Sequence, residues 1–150
     1  MLQEEMACPI TKGEKILVAV DGSRYSDNIV DQAISMGRIC NSVIIAISVV
    51  ELFAQTIARA PDLEEQMSND ARITLEEIKR KVEAENIICE TLVRIDGHAH
   101  RAIVKEAKER DIDLIVMGTH GRARIKNVLM GSVTQKVIGN APCQVMVVPV

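Results

Sequence analysis

"DLIVMGTHGRARIKNVLMGSV", Asp113 to Val133, carries a short apolar run into a basic loop with three glycines and on to a serine that opens a helical pattern. The run Asp113–Met117 is short, dominated by branched aliphatics and flanked by turn residues, which suits a buried strand. Four more segments of that kind surround it: "KILVAV" (Lys15 to Val20), "SVIIAISVV" (Ser42 to Val50), "IICETLVRI" (Ile87 to Ile95) and "CQVMVV" (Cys143 to Val148). Three of the five are nearly continuous apolar runs, as expected of strands covered on both faces. "CETLVRI" alternates, with Glu90 and Arg94 on one face, and is expected nearer an edge.

Helical patterns fill the gaps. Ile29, Val30, Ala33, Ile34, Gly37 and Cys40 recur at helical spacing between Ser26 and Cys40, with Ser23 or Ser26 available as a cap. Leu63, Met67, Ala71, Leu75, Ile78 and Val82 form a stripe between Asp62 and Asn86. "HRAIVKEAKERD" and "GSVTQKVIGN" supply two shorter helices, the second stopped by Gly139, Asn140 and Pro142. Alternating strands and helices predict an α/β fold: an open five-stranded parallel sheet, right-handed crossovers and helices on both faces. One domain over residues 1–150 is expected, with 1–14 as a loose arm and Ala54 to Pro61 as a flexible connection.

Composition narrows the function. Hydrophobic residues make up 47% of the 150, yet the only aromatics are Tyr25 and Phe53, so the core is aliphatic. No apolar run reaches the roughly 18 residues of a membrane span, and the acidic N-terminus has no signal-peptide core. The net charge of −3 argues against nucleic acid as a partner. Cys8, Cys40, Cys89 and Cys143 are scattered without a CxxC pair, which predicts neither zinc nor a redox motif and points to a reducing cytoplasm.

The glycine loop reads Gly118-x-x-Gly121, nine residues, then Gly131-Ser132. Glycine lets a ligand approach the backbone closely. The helix opening at Gly131-Ser132 offers unpaired N–H groups and its dipole to an anion, the Ser132 hydroxyl adds a donor, and Arg122, Arg124 and Lys126 lie nearby in sequence. This is phosphate-binding chemistry, on a βα connection at the carboxyl edge of the sheet, where such folds bind ligands. No GxxxxGK[ST] or early GxGxxG is present, which excludes the usual P-loop and dinucleotide patterns. Fold stability alone is not expected to require all three glycines and the serine. His120 is expected to shape the loop or meet solvent. The His98-x-His100 pair has no clustered third ligand and suggests no metal site.

G-x2-G-x9-G-[ST] in this place, with "VAVDGS" near the start and "CQVMVVPV" at the end, resembles the universal stress protein family in its ATP-binding branch, from about Lys15 to Val150. The resemblance implies a Rossmann-like sheet with strand order 3-2-1-4-5, which sets Asp21 beside Gly118. It implies that Gly118, Gly121, Gly131 and Ser132 hold ribose and phosphates, with Val133 contributing its backbone N–H and Thr119 and Arg122 in the same loop. Ala19, Val20 and Asp21 would line the adenine pocket, Val49 would supply a backbone hydrogen bond to the base, Met117 would pack on the nucleotide, and Gly97 would lie beside the base. Ala99 stands where many members have proline, which implies a less rigid loop there.

Three classes of function follow. The leading one is an ATP-binding regulatory, stress-response module, taking ATP with Mg or Mn and acting as a cytoplasmic homodimer through its apolar C-terminal strand. The second is a slow ATPase or autophosphorylating enzyme, although no poised nucleophile or metal ligands are visible. The third is a partner-binding domain with an unused nucleotide pocket. Partners expected are an adenine nucleotide, a second copy of the chain and unknown proteins, with no nucleic acid and no membrane.

Overall fold

A computed structural model describes residues 7–121 and 129–150. Ten elements follow one another: β1 (Lys15–Ala19), α1 (Ser26–Cys40), β2 (Val43–Glu51), α2 (Ala54–Arg59), α3 (Pro61–Glu83), β3 (Cys89–Asp96), α4 (Ala99–Glu109), β4 (Leu114–Gly118), α5 (Ser132–Asn140) and β5 (Gln144–Val148). All strand pairings are parallel, in the order β3-β2-β1-β4-β5. The expected α/β architecture is therefore the observed one, and β3 is an edge strand as its alternating pattern implied.

The two-residue period of the strands divides the core. Ile16, Val18, Ile44 and Ala46 face α1 and α3, where Val30, Ala33, Leu75, Ile78 and Val82 cover them. Leu17, Ile45, Ile47 and Ile115 face the other way and are covered by Ile103 and Ala107 of α4 and Val137 of α5. The chain thus places α4 and α5 side by side on one face, with both helix N-termini at the carboxyl ends of the strands.

Several local expectations are corrected. Residues 8–13 are not a loose arm: Ile10 is buried in the first core cluster, Cys8 is disulfide-bonded to Cys40, and the buried Ser42 hydroxyl donates to the Gly13 carbonyl. A sequence separation of 32 concealed that pair. Two of the four cysteines are therefore not lone, which removes the premise of the reducing-compartment reading. The connection after β2 is not flexible coil, because Thr56 and Ile57 donate to the Phe53 carbonyl and start α2, and Pro61 then opens α3 at a position where its missing N–H costs nothing. The α3 stripe is buried only in its second half: Leu75, Ile78 and Val82 reach the core, while Leu63 is exposed. Neither Ser23 nor Ser26 caps α1; their hydroxyls are buried without a hydrogen-bond partner.

Candidate functional site

The carboxyl end of β1 turns sharply. Val20 still donates to Ile47 of β2 at 3.0 Å, and then Gly22 adopts a φ of +75°, which suits a residue without Cβ. The Asp21 carboxylate accepts from the Ser23 N–H at 2.9 Å, closing an Asx-type turn rather than capping α1. That bond uses Oδ1. The other oxygen, Oδ2, faces the β4 loop so closely that a Cβ on Gly121 would lie 2.8 Å from it. The β1 and β4 loops therefore meet at Asp21 and Gly121.

The β4 loop is closed by its own backbone. Gly131 N–H donates to the Thr119 carbonyl at 2.7 Å, and the buried Thr134 hydroxyl donates to the Gly118 carbonyl at 2.8 Å. These bonds bring the start of α5 back to the end of β4. Thr119 is pinned from the other side by Val148, whose carbonyl accepts from its N–H at 3.0 Å, and by Val150, whose N–H donates to its hydroxyl at 3.2 Å. His120 is buried with Nδ1 3.1 Å from the Thr119 hydroxyl, so it shapes the loop rather than meeting solvent.

At α5, Gly131 takes the N-cap position with φ −67° and ψ 159°, an extended geometry open to any residue. Ser132 follows on the exposed first turn. The first N–H groups of a helix lack intrahelical acceptors and carry the positive end of its dipole, so this terminus can receive an anion. Arg122 falls outside the described residues, as do Arg124 and Lys126.

Four of the remaining site residues share a face. Ala19, Val49 and Val133 pack at the margin of the cluster that contains Met117, on the side covered by α4 and α5. Val20 belongs to the opposite cluster. Gly97 lies after β3, where Leu52 N–H still pairs with the Asp96 carbonyl at 3.2 Å. The Asp96 carboxylate accepts from His98 N–H at 2.8 Å and from the Arg101 guanidinium at 2.9 Å. The His98 N–H is the largest influence holding the Asp96 carboxyl below its ordinary range, against burial and aided by Arg101. This bracing stands at the turn into α4, which opens at Ala99. His100 is shifted down, first by burial and then by the charge of Lys136 on α5. Among the described residues, no three His, Cys, Asp or Glu side chains are grouped to hold a metal ion.

The three glycines differ in what packs against them. A Cβ on Gly118 would meet Ile29 Cδ1 at 2.9 Å and the His120 carbonyl at 3.3 Å, whereas one on Gly121 would meet only the end of the Asp21 side chain, at 2.8 Å. Packing alone therefore favours glycine most clearly at Gly118. Gly131 differs: its nearest contact, Thr119 O at 3.4 Å, is ordinary.

Sequence reasoning also missed Phe53 and the buried Glu106. Glu106 on α4 is only 5% exposed and is held by Arg94 of β3 and, at 2.8 Å, by Arg110, which reaches Glu90 at 3.2 Å. Burial would raise its pKa, but the two guanidinium groups outweigh burial and leave it below the ordinary carboxylate range. The alternation of Glu90 and Arg94 was the one visible hint of this network.

The strand order reverses between β1 and β4, the place where doubly wound α/β folds bind ligands, and the Thr119–Gly131 closure and the α5 N-terminus stand there. The universal stress protein family model matches residues 13–149, and the chain belongs to that family. It is 31% identical to universal stress protein Sll1388 of Synechocystis, over 89% of this chain and 96% of that one. The solved structure of hypothetical protein MJ0577 of Methanocaldococcus jannaschii superposes with a TM-score of 0.84 at 25% identity, covering 93% of this chain and 98% of the other. A universal stress protein crystallised in complex with cAMP gives a TM-score of 0.66 at 26% identity, covering 91% and 96%.

Proposed function

We propose that the chain is an ATP-binding regulatory module of the stress response, taking the nucleotide with Mg or Mn. The observation that carries this reading is the convergence of Asp21, Gly121, the Thr119–Gly131 closure and the α5 N-terminus at one point of the sheet edge. Ala19, Val49, Met117 and Gly97 give the base side; Gly118, Gly121, Gly131, Ser132 and the Val133 N–H give the ribose and phosphate side. The metal arrives bound to the triphosphate and neutralises its charge. The cAMP complex of a relative supports adenine as the base. No residue is assigned a catalytic role, and turnover is not part of the reading.

The same proposal includes a homodimer paired through β5. Val148 O and Val150 N point toward Thr119, so the peptide groups of Val145 and Val147 turn outward along an open edge. Light scattering during size-exclusion chromatography is expected to show twice the chain mass; a monomer at micromolar concentration removes this part.

A second reading, a partner-binding domain with an unused pocket, gains from the packing role of Gly118, since its presence does not require a ligand. Calorimetric titration with magnesium-ATP decides between them, with Gly131→Val as the companion because its Cβ fits the unliganded fold. Binding by the parent chain that weakens about tenfold or more in the variant, roughly 1.4 kcal/mol, supports the cradle. No binding by the parent chain establishes the unused pocket.

A further inference from the structure

Phe53 is the only phenylalanine in the chain and is 57% exposed. It stands directly after the carboxyl end of β2, and its backbone is fixed because its carbonyl accepts from Thr56 and Ile57 at the start of α2. Its ring lies on Gly97: a Cβ there would come within 2.5 Å of Cε1 and 2.6 Å of Cδ1. His98 meets the ring edge-on, with centroids 5.7 Å apart and planes at 82°. A large apolar ring is thus held firmly on one side and left open to solvent on the other. Phe53 and Gly97 stand just past β2 and β3, on one side of β1 in the sheet order, whereas α5 follows β4 on the other side.

We propose that Phe53 is a base-recognition residue, the outer wall of the nucleotide pocket, with its open face stacking on the adenine ring. The inference rests on the nucleotide reading above and adds to it the residue that selects for a large π-surface. Aromatic faces stack on bases with an affinity that grows with the base's surface, so a purine gains more than a pyrimidine. Gly97 then has a definite role, because any side chain there displaces the ring from its seat. The edge-on His98 fixes the ring's tilt.

The test is titration of the parent chain, Phe53→Ala and Phe53→Trp with magnesium-ATP, magnesium-UTP and inorganic tripolyphosphate. Thermal melting of each unliganded protein accompanies the titrations. The expected result is a loss of about tenfold for ATP in Phe53→Ala, a smaller loss for UTP, unchanged tripolyphosphate binding, and recovery of ATP affinity in Phe53→Trp. Equal ATP affinity in the parent chain and Phe53→Ala overturns the role of Phe53 and leaves the nucleotide reading standing. Equal losses for ATP and tripolyphosphate, or a lowered melting temperature, overturn it too, by making the residue structural. A parent chain that binds no ATP defeats the nucleotide reading itself, and this inference with it.

Discussion

The two ends of the sheet are built differently. At the amino end, the segment before β1 and the entries to β2 and β4 are tied down by side chains. Cys8 is bonded to Cys40, Ser42 donates to the Gly13 carbonyl, Asp113 Oδ2 accepts from the Glu14 and Lys15 N–H groups at 3.0 Å each, and Lys15 Nζ reaches the Arg110 carbonyl at 3.1 Å. At the carboxyl end, Asp21, Asp96 and Thr134 brace single turns, while the β1 and β4 loops meet at Asp21 and Gly121 and the β4 loop closes by the backbone bond from Gly131 to Thr119. The first arrangement holds the fold; the second leaves N–H groups and backbone surface for a ligand. Substitutions at the two ends should accordingly separate into effects on stability and effects on binding.

The largest effect is expected at Cys8. Opening the cross-link frees a loop of sequence separation 32, and the chain-entropy relation puts the loss at about 3–4 kcal/mol for Cys8→Ser. Denaturant unfolding without reductant measures it, and reduction of the parent chain should reproduce it. Nucleotide affinity should be unchanged, because the bond lies at the opposite end of the sheet from Gly131. Thiol counting in denaturant gives an independent check, with two reactive thiols before reduction and four after. Four thiols before reduction would mean that the pair does not form. In the folded state Cys89 should react slowly, since burial pushes its thiol up to about 11.

A smaller effect is expected at Glu106, which belongs to neither end and ties α4 to the edge strand β3. Glu106→Gln keeps the shape and removes the charge from beside Arg94 and Arg110. Both arginines are partly exposed, so water screens part of the loss, and about 1–2 kcal/mol is expected at neutral pH. The folded-state pKa of Glu106 is depressed. Its contribution is therefore fully present above the ordinary carboxylate range and is lost as pH falls through the depressed folded value. The stability curves of parent and variant should converge on acidification. A constant gap across that range would assign the loss to packing instead.

The amount of this legible in the sequence differs between the ends in a physical way. Strands, most helices and the glycine loop are local signals, with period 2, period 3.6 and turn chemistry each written in consecutive residues. The sheet order and the positions of Asp21, Gly97 and Val49 came through family resemblance, and the observed topology agrees with that order. The amino-end clasp was illegible because Cys8 and Cys40, or Asp113 and Lys15, meet only after the sheet has formed. Leu63 misled for a related reason. Periodicity finds an apolar stripe but not where the neighbouring sheet stops covering it, so the first half of α3 was credited with too much burial. Phe53 went unassigned because nothing near it in sequence announces Gly97 as its seat.

The smallest effect on the fold, and the most informative, is expected at Gly131. Gly118 is a poor probe of binding: a valine there drives into Ile29 and the His120 carbonyl, and lost affinity would be inseparable from lost packing. Gly131 has an extended backbone with φ −67° and ψ 159°, which a β-branched residue readily adopts, and its Cβ direction holds only an ordinary contact. Replacing a glycine N-cap costs several tenths of a kcal/mol up to about 1 kcal/mol, because no capping hydroxyl is lost. Gly131→Val should therefore unfold close to the parent chain while losing magnesium-ATP affinity, the inverse of Cys8→Ser. Loss of both together would show that the carboxyl end carries the fold as the amino end does, and the division between the two ends would fail. Retention of both would place the triphosphate away from the α5 N-terminus, leaving Asp21 and Gly121 as the meeting point of two loops and nothing more.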